Sequence, residues 1–283
     1  MKLAESYCCF NKKPYFCDME NKNKEKLKTD FWELIQKEVA NFSKSVSTNR
    51  GDWVVKGFID IAKNIYTISI DTKVISKIME LLIFPNICAF AERNGFKIIL
   101  SREQNFYPDI TFVDKNGYKY AIDVKSTYRK DEKSVNGMTL GAFTGYFRDR
   151  KSSKNITFPY NDYAGHFVLG IIYTRADNVD EREIYSLNDL QNITSVVKDF
   201  QFFVQEKYKI AIDRPGSGNT KNIGGVTNIE QLINGNGTFA ELGEDVFNDY
   251  WMYYLTKDMA QAAELPNPPY ANLKQYMKFK NIE

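Results

Sequence analysis

The sequence predicts an α/β fold in which a mixed, twisted β-sheet is flanked by helices. Three observations carry that expectation. Apolar residues recur at helical spacing in two stretches, from Phe31 to Phe42 and from Thr72 to Arg93. Runs of β-branched and aromatic residues, alternating or continuous, lie between and after them. A chain of 283 residues with 43% hydrophobic content can also bury a substantial core in one large domain.

Met1 to Lys28 carries lysine and asparagine runs without a sustained period, so residues 1–30 read as an extension and residues 31–283 as the main domain. Asp30 followed by Glu33 resembles a capping box, and Phe31, Leu34, Ile35, Val39 and Phe42 then predict an amphipathic helix reaching about Lys44. Segments around Trp53–Phe58 and Ile65–Ile70 predict short strands. A helix is expected from about Thr72 to Arg93, closed by Asn94-Gly95, with Pro85 bending or interrupting it. Phe96 to Leu100 predicts a further strand. Ile110, Phe112, Tyr118 and Tyr120 to Val124 flank the turn signal Lys115-Asn116-Gly117, which predicts a β-hairpin. Tyr128 to Tyr163 shows little period and reads as loop with short elements. His166 to Arg175 is continuously apolar, as in a strand buried on both faces. Phe200–Gln205 and Tyr208–Ile212 predict two more strands before the glycine-rich Arg214 to Thr220, and Glu244 to Met259 predicts an acidic helix. No internal repeat or low-complexity tract is evident.

The net charge of +2 conceals an asymmetry. Lys125 to Lys154 holds eight basic residues against three acidic, whereas Asn236 to Leu265 holds six acidic against one basic, so the middle of the chain could face polyanions. No stretch approaches the roughly 20 apolar residues of a membrane span. Met1 to Asn21 is too polar for a secretory signal, so a cytoplasmic protein is expected. Cys8, Cys9, Cys17 and Cys88 lack the paired spacing of a zinc site or a disulfide scaffold. The single histidine, His166, excludes nucleases of the ββα-metal type, which need more than one. No Ser/His/Asp or Cys/His pairing of a nucleophilic hydrolase is present, and Trp32, Trp53 and Trp251 read as packing anchors.

The chemistry concentrates in Pro108-Asp109 and Asp123-Val124-Lys125. Side chains two apart on a strand share a face, so Asp123 and Lys125 project together, and Asp109 approaches them from the neighbouring strand. Mg²⁺ typically takes one or two protein carboxylates and keeps several waters while it contacts phosphate. A lysine beside it can orient or deprotonate an attacking water and oppose charge growing on phosphorane oxygens. On spacing alone, the same residues could be solvated charges at a strand edge.

These strings match the PD-(D/E)xK nuclease superfamily, with aspartate in the middle acidic position. Asp71-Thr72-Lys73-Val74 with Glu80, Gln104-Asn105 with Tyr107-Pro108-Asp109, Ala121-Ile122-Asp123 with Lys125, and Gly216 to Thr220 with Asn222-Ile223-Gly224 resemble the EcoRV-like type II restriction endonucleases. The likeness extends to Tyr173-Thr174-Arg175 and Asp249-Tyr250-Trp251. It implies a restriction-endonuclease-like fold and a homodimer, with residues 31–70 as a dimerisation subdomain. The implied activity is Mg²⁺-dependent hydrolysis of both strands of duplex DNA, bluntly, at GATATC or a close variant. A cognate DNA methyltransferase would protect host DNA. A superfamily nuclease of repair or recombination and a non-catalytic DNA-binding relative are the alternatives.

By the same resemblance, Asp109, Asp123 and Lys125 are catalytic, and Glu80 is an accessory acid that joins Asp109 and Asp123 at the metal. Gly216, Ser217, Gly218, Asn219 and Thr220 form the base-reading loop, where an asparagine can pair with adenine N6 and N7 in the major groove. Asn222, Gln104, Asn105, Thr127 and Lys154 complete the expected DNA contacts, the last two positioning the backbone rather than reading it. Three departures stand out. Glu103 replaces a glutamine and Phe106 a histidine in the stretch resembling the minor-groove loop, and Ser126 replaces a threonine while keeping a hydroxyl for a phosphate.

Overall fold

The computed structural model describes residues 16–177, 179, 183–216 and 221–282. Its first helix, α1 (Phe16–Gln36), begins well before the expected start, so Asp30 lies within it rather than capping it. The 30/31 boundary between extension and main domain therefore falls inside a helix. Lys28 explains why this stretch packs: its ammonium is 2% exposed and meets Glu244 at 2.7 Å, Glu25 at 2.9 Å and Glu206 at 3.1 Å. Burial works against that charge, but Glu244 and Glu206 outweigh it and raise the Lys28 pKa above its ordinary value. After α2 (Val39–Val46) come the short antiparallel strands β1 (Gly57–Ile59) and β2 (Ile65–Thr67).

Helix α3 (Thr72–Asn94) is bounded as its sequence indicates. The Asp71 carboxylate accepts from the Lys73 and Val74 amides at 2.8 and 3.1 Å, and Gly95 closes the helix at φ 70°. Pro85 does not interrupt it. Proline removes the donor that would reach Leu81, but both residues face water, where that carbonyl is solvated. By length and composition α3 could cross a membrane, contrary to the expectation that no stretch could. Here its buried stripe of Ile75, Met79, Ile83, Ile87 and Phe90 packs on the sheet.

The sheet is built from β3 (Lys97–Leu100), β4 (Ile110–Val113), β5 (Lys119–Tyr128), then, beyond a short β6 (Thr139–Ala142), β7 (Tyr163–Arg175), and, beyond β8 (Ile184–Tyr185), β9 (Val197–Glu206). The order is β3-β4-β5-β7-β9, antiparallel except for the β5–β7 pair, so the sheet is mixed as expected. Strand β8 instead pairs with β2. The 128–163 stretch is the crossover between the parallel strands. It has little regular structure yet buries Val135, Met138, Leu140, Phe143 and Phe147, a core contribution that aperiodic spacing hides.

Tyr208 lies in a 3₁₀ turn over Lys207–Ile210 rather than in a strand. The chain then enters β10 (Ala211–Pro215) and β11 (Asn222–Gly225), which pair with each other, β11 also pairing with β6. The C-terminal part supplies α4 (Ile229–Asn234), α5 (Gly243–Tyr253), α6 (Lys257–Ala262) and α7 (Leu273–Lys280), so the expected acidic helix is split in two near Tyr254.

Alternation along the strands sorts the core into two layers. Ile122 and Val124 of β5, with Phe167, Leu169 and Ile171 of β7, face α1, α2 and α3. Ala121, Val168 and Ile172 face the crossover and α5. Phe31 anchors the first layer, stacked on Tyr120 at 4.3 Å and surrounded by Phe90, Phe96, Phe112 and Phe167. Burying such a ring contributes about 2–3 kcal/mol before packing terms. Ile35, Phe42 and Val46 lie in the same layer, so the helical part of residues 31–70 contributes to the core.

Candidate active site

The β4–β5 hairpin aligns the acidic residues. Its turn is fixed by Asp114, whose carboxylate accepts from the Asn116 and Tyr118 amides, and by Gly117 at φ 87°. Pairing of Ile110 with Ile122 then sets Asp109, just before β4, beside Asp123. Asp123 shares its face with Ala121, which belongs to the crossover-side core, so this carboxylate is only 6% exposed.

The cluster is closely knit. Asp109 accepts the Val124 N–H on Oδ2 at 2.7 Å, and Lys125 Nζ meets Asp123 Oδ2 at 2.7 Å. Burial pushes the Asp109 carboxyl up to about 7, and the adjacent Asp123 adds to it. Lys125 and the Val124 N–H oppose that rise, while a side-chain hydrogen bond with Asp123 reinforces it. For Lys125, burial works to lower the pKa, but Asp123 and Asp109 outweigh it, with Glu80 contributing, and the net shift is upward. The paired carboxylates are thus short of positive charge. A hard dication fits this pair of oxygen donors.

Glu80 does not join them. It pairs with Lys77 one turn away on α3 at 2.8 Å, and among the described residues no set of three or more His, Cys, Asp or Glu side chains converges to hold a metal. The Ser126 hydroxyl is 2.6 Å from that of Ser76, tying β5 to α3 rather than standing free for a phosphate. Thr127 is likewise committed: it is 4% exposed and donates to the Asn136 carbonyl at 2.6 Å, which removes it from a DNA-facing surface.

Other candidates gather at the rim. Gln104 and Asn105 occupy an exposed turn closed by the Phe106 N–H donating to Glu103 O. The next residue, Tyr107, donates its N–H to Asn155 O, and the Thr157 N–H donates back to Tyr107 O. Residues 155–157, which follow exposed Lys154, are thereby held against the peptide that leads into Asp109. Gly216 and Asn222 frame the tip of the β10–β11 hairpin, the Gly216 N–H donating to Asn222 O at 3.1 Å. A Cβ on Gly216 would stand 2.8 Å from Thr139 Cγ2 and 3.2 Å from Gly224 Cα, so the position has no room for a side chain. Ser217, Gly218, Asn219 and Thr220 lie outside the described residues.

Sequence reasoning missed the layer behind Asp123. His166 is buried as expected, but its Nδ1 lies 2.9 Å from the Tyr107 hydroxyl, inside a group formed by Tyr107, Tyr146, Tyr160 and Lys207. Nothing in the mixed stretch Gln205-Glu206-Lys207-Tyr208-Lys209 marks which lysine is buried.

Two acidic side chains and a lysine brought together by the β4–β5 hairpin of a mixed sheet define a nuclease of the PD-(D/E)xK fold. Residues 49–281 match the restriction endonuclease EcoRV family, and the chain belongs to that family. It is 36% identical over 226 residues to the type II restriction enzyme EcoRV of Escherichia coli, covering 78% of this chain and 89% of that protein. The chain is thus a type II site-specific deoxyribonuclease. A solved structure, the NlaIV restriction endonuclease, overlaps 88% of this chain and 95% of its own at 10% identity with a TM-score of 0.41, too slight a likeness to bear on the site.

Proposed function

We propose that this endonuclease acts as a homodimer in the cytoplasm, requires Mg²⁺, and cuts both strands of duplex DNA bluntly at GATATC. The observation that carries the reading is the Asp109–Asp123–Lys125 cluster, in which two carboxylates lie together and one lysine stands 2.7 Å from Asp123. Asp109 and Asp123 would hold the metal, which supplies Lewis-acid stabilisation of the phosphate and a water of lowered pKa. Lys125 orients the attacking water and faces the charge that develops on the phosphate oxygens. Glu80 acts on Lys125 through its field.

The recognition assignment rests on resemblance. By that resemblance Ser217 to Thr220 read bases, while Gln104 and Asn105 approach the minor groove and Lys154 a phosphate. The dimer is supported by the exposed apolar face of the small sheet β1-β2-β8. Phe58, Tyr66 and Ile184 share it, and Ile61, Leu187 and Leu190 are also exposed nearby in the chain. A twofold axis there would present one site to each strand of a palindrome. A methyltransferase of the same specificity would shield host DNA.

The test is cleavage of a plasmid bearing one GATATC site in Mg²⁺, followed by sequencing of the ends. Linear product with blunt ends at the centre of the site is expected, and Asp123→Ala should abolish cutting while retaining binding. Absence of cleavage on any unmethylated duplex, or cleavage of branched DNA without sequence preference, would overturn the reading.

A further inference from the structure

The two carboxylates of the cluster ride on separate segments, and a buried polar pair ties those segments together. Asp123 is held in mid-strand, its backbone in register with Val168 of β7. Asp109 stands one residue before β4, ahead of the pairing of Leu100 with Ile110. The Ser101 N–H reaches its carbonyl at 3.4 Å, a long bond, and a firmer hold lies two residues earlier.

Tyr107 is that hold. Its N–H donates to Asn155 O at 3.1 Å, its carbonyl accepts from the Thr157 N–H at 2.8 Å, and its hydroxyl lies 2.9 Å from His166 Nδ1. The ring stacks on Tyr146 at 5.3 Å and on Tyr160 at 6.1 Å, while the His166 imidazole stacks on Tyr160 at 3.8 Å. Both residues are buried. Phenylalanine and leucine would fill this layer without desolvating a hydroxyl and an imidazole. What the polar pair adds is direction, because a buried hydrogen bond holds over a narrow range of distance and angle, and either group alone would be left unpaired.

That direction matters because of where His166 stands. It pairs with Ala121 and precedes Val168, the partner of Asp123, by two residues, so its imidazole projects on the Asp123 face of the sheet. Tyr107 precedes Asp109 by the same interval. The hydrogen bond therefore closes a frame that runs from Asp109 back to Tyr107, across to His166, along β7 to Val168 and across to Asp123.

We propose that Tyr107 and His166 are positioning residues that set the separation of the Asp109 and Asp123 carboxylates, a role that rests on those carboxylates being the metal ligands. Neither residue meets the cation or the DNA. A small dication demands near-ideal placement of its oxygen ligands, so slack in the frame is felt as weaker metal binding. Duplex binding, which draws on other surfaces, is left as it was.

Mn²⁺ binding to the full chain without DNA, read from the paramagnetic resonance of free Mn²⁺ at neutral pH, tests this. Tyr107→Phe, which keeps the ring and deletes the hydroxyl, should weaken Mn²⁺ binding about three- to tenfold, the range that one net hydrogen bond supplies. His166→Leu should do the same, and the double variant should bind no more weakly than either single one, because all three lack one shared bond. His166→Asn, whose amide can meet the hydroxyl as donor or acceptor, should stay within about twofold of the wild type. The Mg²⁺ concentration giving half-maximal cleavage should rise in step with the Mn²⁺ dissociation constant, while duplex binding in chelator stays unchanged. Tyr107→Phe decides the matter if His166→Leu does not fold. Unchanged Mn²⁺ affinity in Tyr107→Phe with Asp109→Asn weakened, losses that add in the double variant, or a matching loss of duplex binding would overturn the role of the pair. Unchanged affinity in both Asp109→Asn and Asp123→Asn would overturn the ligand assignment beneath it.

Discussion

Replacing Asp109 with asparagine separates what the acidic pair costs the fold from what it contributes to chemistry. The asparagine carbonyl can still accept the Val124 N–H, and its amide can donate toward Asp123, so the 2.7 Å hydrogen bond survives while one charge disappears. Burial, followed by the neighbouring Asp123, raises the Asp109 carboxyl from 3.8 to about 7. At about 1.4 kcal/mol per pKa unit that shift sets a ceiling of about 4 kcal/mol, which water reaching the half-buried carboxyl reduces to about 1–2 kcal/mol. A carboxyl whose folded pKa is raised contributes stability that is complete below about 3.8 and lost as pH climbs through about 7. The metal-free wild type should therefore lose stability across that window, and Asp109→Asn should lose less. Urea unfolding in chelator would show the variant about 1–2 kcal/mol more stable than the wild type at pH 8 and close to it at pH 5, with an unchanged m-value. Cleavage should fall by about two orders of magnitude or more. A variant no more stable at pH 8, or equally stabilised at both pH values, would refute the argument from paired charge.

Two further outcomes follow from packing. Phe31→Ala removes a ring in contact with five others and should cost about 3–5 kcal/mol in urea unfolding, placing the helix before residue 49 within the same cooperative unit as the sheet; a change below about 1 kcal/mol would contradict this. Gly216→Ala should cost about 1–2 kcal/mol, much of it recovered in a double variant with Thr139→Ala, which deletes the Cγ2 atom 2.8 Å from the new Cβ; additive losses in the double variant would place the strain elsewhere.

Much of this architecture is local chemistry and hence legible in the sequence. Asp71 and Gly95 bound α3 through bonds within a few residues, the Asn116-Gly117 turn sets the hairpin, and the apolar run from His166 is β7. The acidic pair was legible for the same reason, since Asp109 precedes β4 and Asp123 lies on β5, strands joined by one turn. What escaped was settled across the fold. The start of α1 depends on Lys28 finding Glu206 and Glu244, and a cap-like Asp30–Glu33 pair carries no sign that helix already precedes it. The commitments of Ser126 to Ser76 and of Thr127 to Asn136 remove hydroxyls that composition alone leaves open to DNA. Lys207 could not be read, because its cage comes from residues 107, 147 and 160.

The hairpin register makes chain length itself a determinant of activity. Ile110 faces Ile122 and Val113 faces Lys119, so the tight bend at Asp114–Tyr118, at the far end from the chemistry, measures out where the second carboxylate lands. One residue inserted or deleted along β5 before Asp123 would, if pairing shifted to absorb it, turn Asp123 and Lys125 toward Ile75 and Met79 and bring Ile122 or Val124 to the face that now carries the acidic cluster. The number of residues from the bend to Asp123 and Lys125 is therefore as much a part of the cluster as the side chains themselves.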